Sequence, residues 1–320
     1  MKAKTKIWLI VATSLILIGA IIFSGAMSML KWDFLKLSTV KYETNTYEIT
    51  ENYKNISIIS DTANISLIAT DNDKTTIICD EQQNIKHSVT VKENTLLIEI
   101  NDTRKWYQYI GVSFGKQSIT VNLPKGEYGA LSIDTDTSYV KIASDFKFES
   151  VDISLSTGNV TNLASANDFI KIKTSTGHID TENITANNVN LSASTGKITA
   201  SNIDCSGDFN HKVSTGKTNL SNIKCKNLVS SGSTGDIYLS NVISAERFDI
   251  KRSTGNVKFE LCDAAELSIT TDTGDVKGSL LTDKVFITKT DTGKINVPKT
   301  ITGGKSEITT DTGDIKITIK

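Results

Sequence analysis

The feature that most constrains this chain is a short phrase, Ser-Thr-Gly or Asp-Thr-Gly, followed by a polar and then usually a β-branched residue. Its glycines are Gly158, Gly177, Gly196, Gly216, Gly235, Gly255, Gly274, Gly293 and Gly313, spaced 19 or 20 residues apart. A fixed period near 20 marks an array in which each unit leans on its neighbours, not a fold with one central core.

Apolar residues recur at fixed distances from each glycine. Two positions after it stand Val160, Ile179, Ile198, Thr218, Ile237, Val257, Val276, Ile295 and Ile315. Seven before it stand Val151, Ile170, Val189, Phe209, Leu228, Phe248, Leu267 and Phe286, with Ser306 the exception. Alternation within each unit means that one face is buried, and recurrence by slot means that like stacks on like. The sequence therefore predicts an all-β fold, a parallel β-solenoid of about ten coils preceded by one transmembrane helix. With Ser138 as the corner of a degenerate first unit, the stack is roughly 48 Å long at about 4.8 Å per coil. A β-propeller would repeat every 40–50 residues or so, and leucine-rich repeats would carry their Leu-x-Leu and Asn signature.

The phrase itself reads as a corner. Gly accepts φ > 0, and Ser, Thr or Asp before it bonds nearby backbone groups that the bend leaves without a ladder partner. Asn183, Asn202, Asn222 and Asn241 share the sixth position after the glycine and are expected to stack as a ladder of turn scaffolding, not as a ligand site.

Residues 7–30 carry no charge and, at about 1.5 Å per helical residue, reach roughly 36 Å, enough to span a bilayer. Lys2, Lys4 and Lys6 precede them, which predicts a cytoplasmic amino terminus and an exported remainder. A cleaved signal peptide, cut after Ala26, is the rival reading. Against it, the apolar run from Ile7 to Phe23 outlasts a usual signal core of about 7–15 residues. The expected division is a tail at 1–6, an anchor at 7–30, a connector at 31–55, a degenerate capping region at 56–130 and the array at 131–320. Beyond residue 31 the chain holds 31 basic and 36 acidic residues, so neither nucleic acid nor an anionic polymer is selected by bulk charge.

In the capping region, Asp61-Thr62-Ala63-Asn64 is a worn copy of the repeat, with Ala63 in the glycine slot. Strands are expected at 75–79, 87–91, 95–100 and 118–123, with Glu93-Asn94 turning a hairpin. The stretch from Trp106 to Phe114, with Tyr107 and Tyr109, reads either as a binding surface or as an apolar plug over the end of the stack.

Few constellations suggest chemistry. Asp272, Asp291 and Asp311 stand in Asp-Thr-Gly, the tripeptide of aspartic proteases, but here it is only a variant of Ser-Thr-Gly in the same slot. With Asp275 and Asp314 these acids could attract calcium, although Lys277, Lys289, Lys294 and Lys316 lie among them. Cys205 and Cys225 fall in matching slots of adjacent coils, within disulfide range or as two buried thiols. There is no CxxC pair, and the histidines His87, His178 and His211 form no pattern with Ser, Cys or Asp. No catalytic, cofactor-binding or metal-ligating residue is assigned. An enzyme acting on envelope polysaccharide is the alternative to a binding module; it would need acids gathered in a groove beside exposed aromatics. A third possibility is assembly through an uncovered final strand, 315–320.

The anchor, the degenerate strands, the segment Ile119-Thr120-Val121-Asn122-Leu123-Pro124 and repeats such as Val189-Asn190-Leu191-Ser192-Ala193-Ser194-Thr195-Gly196-Lys197-Ile198 together resemble the bacterial putative-adhesin family of β-strand repeats. The resemblance covers roughly residues 50–320. It implies a membrane-anchored module at the cell envelope, in some members encoded with envelope stress-response genes. It implies no activity, no cofactor and no particular ligand.

Overall fold

A computed structural model describes residues 3–37, 40–106 and 115–320. Helix α1 (Ala3–Met29) is long and apolar enough to cross a membrane, and its side chains from Ile7 to Phe23 lie almost entirely uncovered by the rest of the chain. A short 3-10 turn (Phe34–Leu37) follows.

Beyond it, the regular elements of the described residues, from β1 onward, are strands joined in one sheet. The first seven strands are β1 (Tyr42–Ile49), β2 (Asn55–Ser60), β3 (Asn64–Thr70), β4 (Thr75–Gln82), β5 (Ile85–Lys92), β6 (Thr95–Asp102) and β7 (Ser118–Pro124). The winding then continues through β8 (Gly126–Ile142), β9 (Phe146–Asn162), β10 (Ser165–Ala186), β11 (Asn188–Cys205), β12 (Asp208–Thr234), β13 (Ile237–Thr254) and β14 (Val257–Cys262). It closes with β15 (Glu266–Thr273), β16 (Val276–Leu280), β17 (Lys284–Thr292), β18 (Ile295–Asn296), β19 (Gly304–Thr312) and β20 (Ile315–Ile319). β1 lies within the stretch expected as a connector.

The coils pair in parallel and in the register that the repeat predicts. Gly177 faces Gly196, which faces Gly216; Val189 lies against Phe209, and Ile179 against Ile198. The chain is thus a parallel β-solenoid of about 10 turns. Its interior is a column of Ile, Val and Leu with Phe148, Phe209, Phe248 and Phe259 fully buried. Each coil has two sharp corners. At Gly196 φ is 151°, and a Cβ would sit 1.7 Å from the carbonyl oxygen of Gly177 in the coil below. Glycine is required there both by the dihedral and by the closeness of the stacked backbone. The second corner is made by Asn183, Asn202, Asn222 and Asn241, all left-handed with φ of 53–55°. Their side chains form the expected ladder: Asn202 Nδ2 donates to Asn183 Oδ1 (2.9 Å), Asn222 to Asn202 (2.8 Å) and Asn241 to Asn222 (3.0 Å).

Both ends depart from simple winding. At the carboxyl end, β19 pairs with β15 on one side and β17 on the other, and β20 lies between β16 and β18. The last coil in sequence is therefore the penultimate layer in space. Gly313 N–H donates to the Thr292 carbonyl, while Gly274 N–H donates to the Thr312 carbonyl. The expectation of an uncovered final strand at 315–320 is corrected in part: the outer layer is the coil of Gly293, whose β18 covers Ile315 and Lys316, while among the described residues Ile317–Ile319 pair only with β16 and keep an open outer edge. The reversal is made possible by residues 297–303, which end on Gly303 with φ 101°. Insertion gives β19 two ladders of backbone hydrogen bonds in place of one. It also explains Ser306, the odd residue in its slot. Ser306 sits fully buried between Leu267 and Phe286, where a small side chain leaves room for the ring.

The amino-terminal end repeats the device. β2 lies between β6 and β8, and β3 between β7 and β8, so the first coil is the second layer. Ala63 does occupy the glycine slot: Ser138 Oγ donates to its carbonyl at 2.7 Å. Beyond this layer the parallel order stops. β5 runs antiparallel to β6, β4 to β7 and β1 to β4, closing the stack with a curled antiparallel cap. Glu93 and Asn94, both left-handed, make the tight turn expected between β5 and β6.

Candidate functional site

The acids flagged in the sequence take structural roles. The spatial order of the three Asp-Thr-Gly corners is Asp272, Asp311, Asp291, because of the inserted coil. All three are exposed, and Asp291 pairs with Lys289 at 3.1 Å. One position beyond the glycines, side-chain oxygens clip successive coils together. Asp275 N–H donates to Asn256 Oδ1 (2.9 Å), Asp314 N–H to Asp275 Oδ1 (2.8 Å) and Lys294 N–H to Asp314 Oδ1 (2.9 Å). Lys277 Nζ at 2.6 Å, and after it the Asp314 N–H, hold the Asp275 carboxyl below the ordinary carboxylate range. Asp275, Asp291 and Asp314 are thus engaged by lysines or backbone amides, while Asp272 and Asp311 stand exposed at their corners.

Cys205 and Cys225 occupy neighbouring coils, as expected, and both are free and buried, as are Cys79 and Cys262. Burial pushes the Cys205 thiol up to about 11 and the Cys225 thiol to about 12, so neither is a ready nucleophile. Of the aromatic stretch, Trp106 is 79% exposed, while Tyr107, Tyr109 and Phe114 lie outside the described residues. A different aromatic cluster, Tyr53, Tyr128, Phe146 and Phe148, packs at the junction of cap and array.

Two polar clusters lie inside the molecule. The first is within the array. His211, in an apolar slot, bonds through Nε2 to Ser230 Oγ of the next coil at 2.8 Å. Arg252, only 3% exposed, turns inward and donates from Nη1 to the Val213 carbonyl at 3.0 Å. Burial, and secondarily the Arg252 charge, pushes His211 down to about 3, so its ring is neutral; burial also lowers Arg252 to about 10. Among the described residues no carboxylate pairs with Arg252, and its Nε has no hydrogen-bond partner.

The second cluster sits in the cap, and sequence reasoning missed it. Cys79 and Glu81 continue the inward parity of Ile77 along β4, and His87 shares the inward parity of Ile85 along β5. That parity is the signal that could have found it: a carboxylate and an imidazole fall on the apolar face of alternating strands. All three are buried. His87 Nδ1 lies 2.8 Å from Glu81 Oε2, which also accepts the His87 backbone N–H at 2.7 Å. Asn45 Nδ2 donates to the other carboxylate oxygen at 2.7 Å, and Ser60 Oγ lies 3.1 Å from His87 Nε2. Ser60, His87 and Glu81 thus stand in the order of a nucleophile, a base and its orienting acid. Ser60 is only 4% exposed, however, which denies a substrate carbonyl any approach to its hydroxyl. Among the described residues, Cys79, Glu81 and His87 form the one group of three His, Cys, Asp or Glu donors lying mutually within 4.8 Å.

On the surface, the Asn ladder floors a shallow groove of about 290 Å³, walled by Thr185, Asp204, Lys224 and Ile243. A neighbouring groove of about 470 Å³ runs past Tyr238, whose ring carries Lys258 Nζ 5.4 Å from its centroid.

Comparison with known proteins gives a family but no activity. No curated protein matches the chain. Among solved structures, a putative adhesin from Bacteroides fragilis is 18% identical, with 87% of this chain and 97% of that one covered at a TM-score of 0.43. A putative lipid binding protein from Parabacteroides distasonis is 16% identical, covering 86% and 97% at a TM-score of 0.46. A putative cell adhesion protein from Clostridium sporogenes is 13% identical, covering 88% and 100% at 0.25. The Toastrack DUF4097 family model matches residues 53–208 and again 204–320, so that nearly all of the β-structure is accounted for. This chain belongs to the Toastrack DUF4097 family.

Proposed function

We propose that the chain is a membrane-anchored binding or scaffold module on the outer side of the bacterial cell envelope. Helix α1 supplies the anchor, and the lysines before its apolar run favour a cytoplasmic amino terminus. In this reading residues 1–6 remain inside, 7–30 cross the bilayer, 31–55 connect, 56–130 cap the stack and 131–320 display it.

The observation that carries the reading is the exposed Asn183–Asn202–Asn222–Asn241 rail with its flanking groove. Amide groups repeat there at coil spacing on a rigid surface. Such a surface suits a ligand that is itself repetitive, a wall polymer, or an extended segment of another envelope protein. The enzymatic alternative lacks support: Asp275, Asp291 and Asp314 are tied to lysines or backbone amides, and the cap's serine is buried.

Two measurements test this. Protease added to intact protoplasts should digest the solenoid and spare a tag at the amino terminus; a protected solenoid overturns the orientation. The full-length protein in detergent should sediment saturably with purified wall sacculi, and an Asn202→Ala/Asn222→Ala double variant should sediment less. Sedimentation no greater than that of a heat-denatured control overturns the wall-polymer ligand.

A further inference from the structure

The cap cluster has a composition that hydrogen bonding alone does not require. A thiol, a carboxylate and an imidazole converge where the neighbouring inward slots hold Ile77, Ile85, Leu96, Ile98 and Ile119. A buried carboxylate is costly unless it meets a cation, and among the described residues the sole ionisable partner of Glu81 is His87. We propose that Cys79, Glu81 and His87 bind one Zn²⁺ ion through Sγ, a carboxylate oxygen and Nδ1, as a structural site that locks the antiparallel cap onto the solenoid.

Distance, charge, donor chemistry and surroundings all favour the ion. The three donors lie mutually within 4.8 Å, and ligands on a tetrahedral zinc stand about 3.3–3.8 Å apart, given bonds of about 2.0–2.3 Å. His87 Nδ1 and Glu81 Oε2, 2.8 Å apart, would separate by about 0.5 Å or more to admit the ion. The charges balance: Zn²⁺ with one thiolate and one carboxylate leaves no net charge in the apolar interior. Mixed sulfur, nitrogen and oxygen donors suit zinc, a borderline-soft ion, better than calcium or magnesium. Finally, an outer shell is in place. Ser60 Oγ faces His87 Nε2, and Asn45 Nδ2 holds the carboxylate oxygen that does not face the ring. Such partners fix the tautomer and orientation of metal ligands.

Protons balance as follows. The Cys79 thiol gives its proton to solvent as the Zn–S bond forms. Ligation through Nδ1 replaces the contact of that atom with Glu81 Oε2 and leaves the ring proton on Nε2, where Ser60 Oγ accepts it.

The ligands come from two consecutive strands, and their outer-shell partners join that hairpin to β1 and to the first coil. Cys79 and Glu81 come from β4, His87 from β5, Asn45 from β1 and Ser60 from β2. Metal bound there stabilises the seal of the amino-terminal end, since an ion that binds only the folded state adds its binding free energy to stability.

The test uses the untagged full-length protein in detergent, stripped with a chelator and titrated with Co²⁺ as an optical probe. Binding should saturate at one equivalent and produce a thiolate-to-cobalt charge-transfer band together with the visible bands of tetrahedral cobalt. Zn²⁺ should displace the cobalt and raise the Tm. Cys79→Ser should abolish the charge-transfer band while far-ultraviolet circular dichroism stays unchanged. Ser60→Ala, which touches no ligating atom, should weaken binding about 10-fold or more, the usual effect of losing an outer-shell partner. A band that survives Cys79→Ser, or that disappears only in Cys205→Ser or Cys225→Ser, overturns the assignment. So does a wild-type protein with neither a cobalt band nor a zinc-dependent Tm.

Discussion

The Arg252 guanidinium donates to the Val213 carbonyl at 3.0 Å, reaching past Gly232 in the coil between them. A Cβ on Gly232 would lie 1.7 Å from Arg252 Nη1 and 2.1 Å from the Val213 oxygen. Gly232→Ala should therefore expel the guanidinium from its place and destabilise the protein by about 2–4 kcal/mol. Arg252→Met removes the buried charge but keeps the volume, and should change stability by no more than about 1 kcal/mol in either direction. Urea denaturation of both variants measures the two values. A Met variant as damaged as the Ala variant would mean that the guanidinium is essential to the array.

His211 gives the fold a dependence on acid. Its folded value of about 3 lies below the ordinary 6.5, so between these values the unfolded chain binds a proton that the folded chain refuses. The contribution is complete above about pH 6.5 and is lost as the pH falls toward 3, by about 1.4 kcal/mol per unit. Leu191 fills the same slot one coil below. His211→Leu should accordingly flatten the profile, losing about 3 kcal/mol less than the wild type between pH 7 and pH 4. Parallel profiles for the two proteins would refute this.

The asparagine corner separates backbone freedom from hydrogen bonding. Asn222 has φ 53° and makes two ladder bonds. Asn222→Gly keeps the left-handed backbone and loses the bonds, at about 1–2 kcal/mol. Asn222→Ala also strains the backbone and should cost about 1 kcal/mol more. Thermal unfolding of the pair reads the difference, and equal Tm values would show that the ladder dominates.

The inserted last coil predicts an unusual response to truncation. β17 pairs with β19, and no direct ladder joins it to β15. Ending the chain before Gly304 removes two strands but should release four. Amide exchange in β17 and β18 should then approach that of an unfolded segment, while β9 to β12 stay protected. Continued protection of β17 would mean that it can re-pair with β15.

The repeat makes the middle of the molecule legible because each slot votes nine times. One atypical residue, such as Thr218 or His211 in an apolar position, cannot shift the register. The ends are illegible for the opposite reason. Layers β2–β3 and β19–β20 look like ordinary coils in sequence, and nothing local to Ile65 or Ile308 tells which coils they lie between. The placement is decided by residues 297–303 and by the cap strands, segments outside the period. The cap cluster is hidden for a narrower reason. Composition ends one strand at Cys79 and begins the next at His87, which leaves Glu81 in a turn. In the folded chain β4 runs on to Gln82, and that continuation puts the Glu81 carboxylate on the inward face.

The double interleaving also bears on how such a gene can change in length. A coil added beyond β20, or before β2, would have to enter a layer already paired on both sides. One duplicated between β9 and β12 meets only its own kind: a glycine corner above, a glycine corner below and apolar slots that match. Growth and loss of repeats are thereby directed to the interior of the tract, and the two terminal segments are inherited as fixed ends.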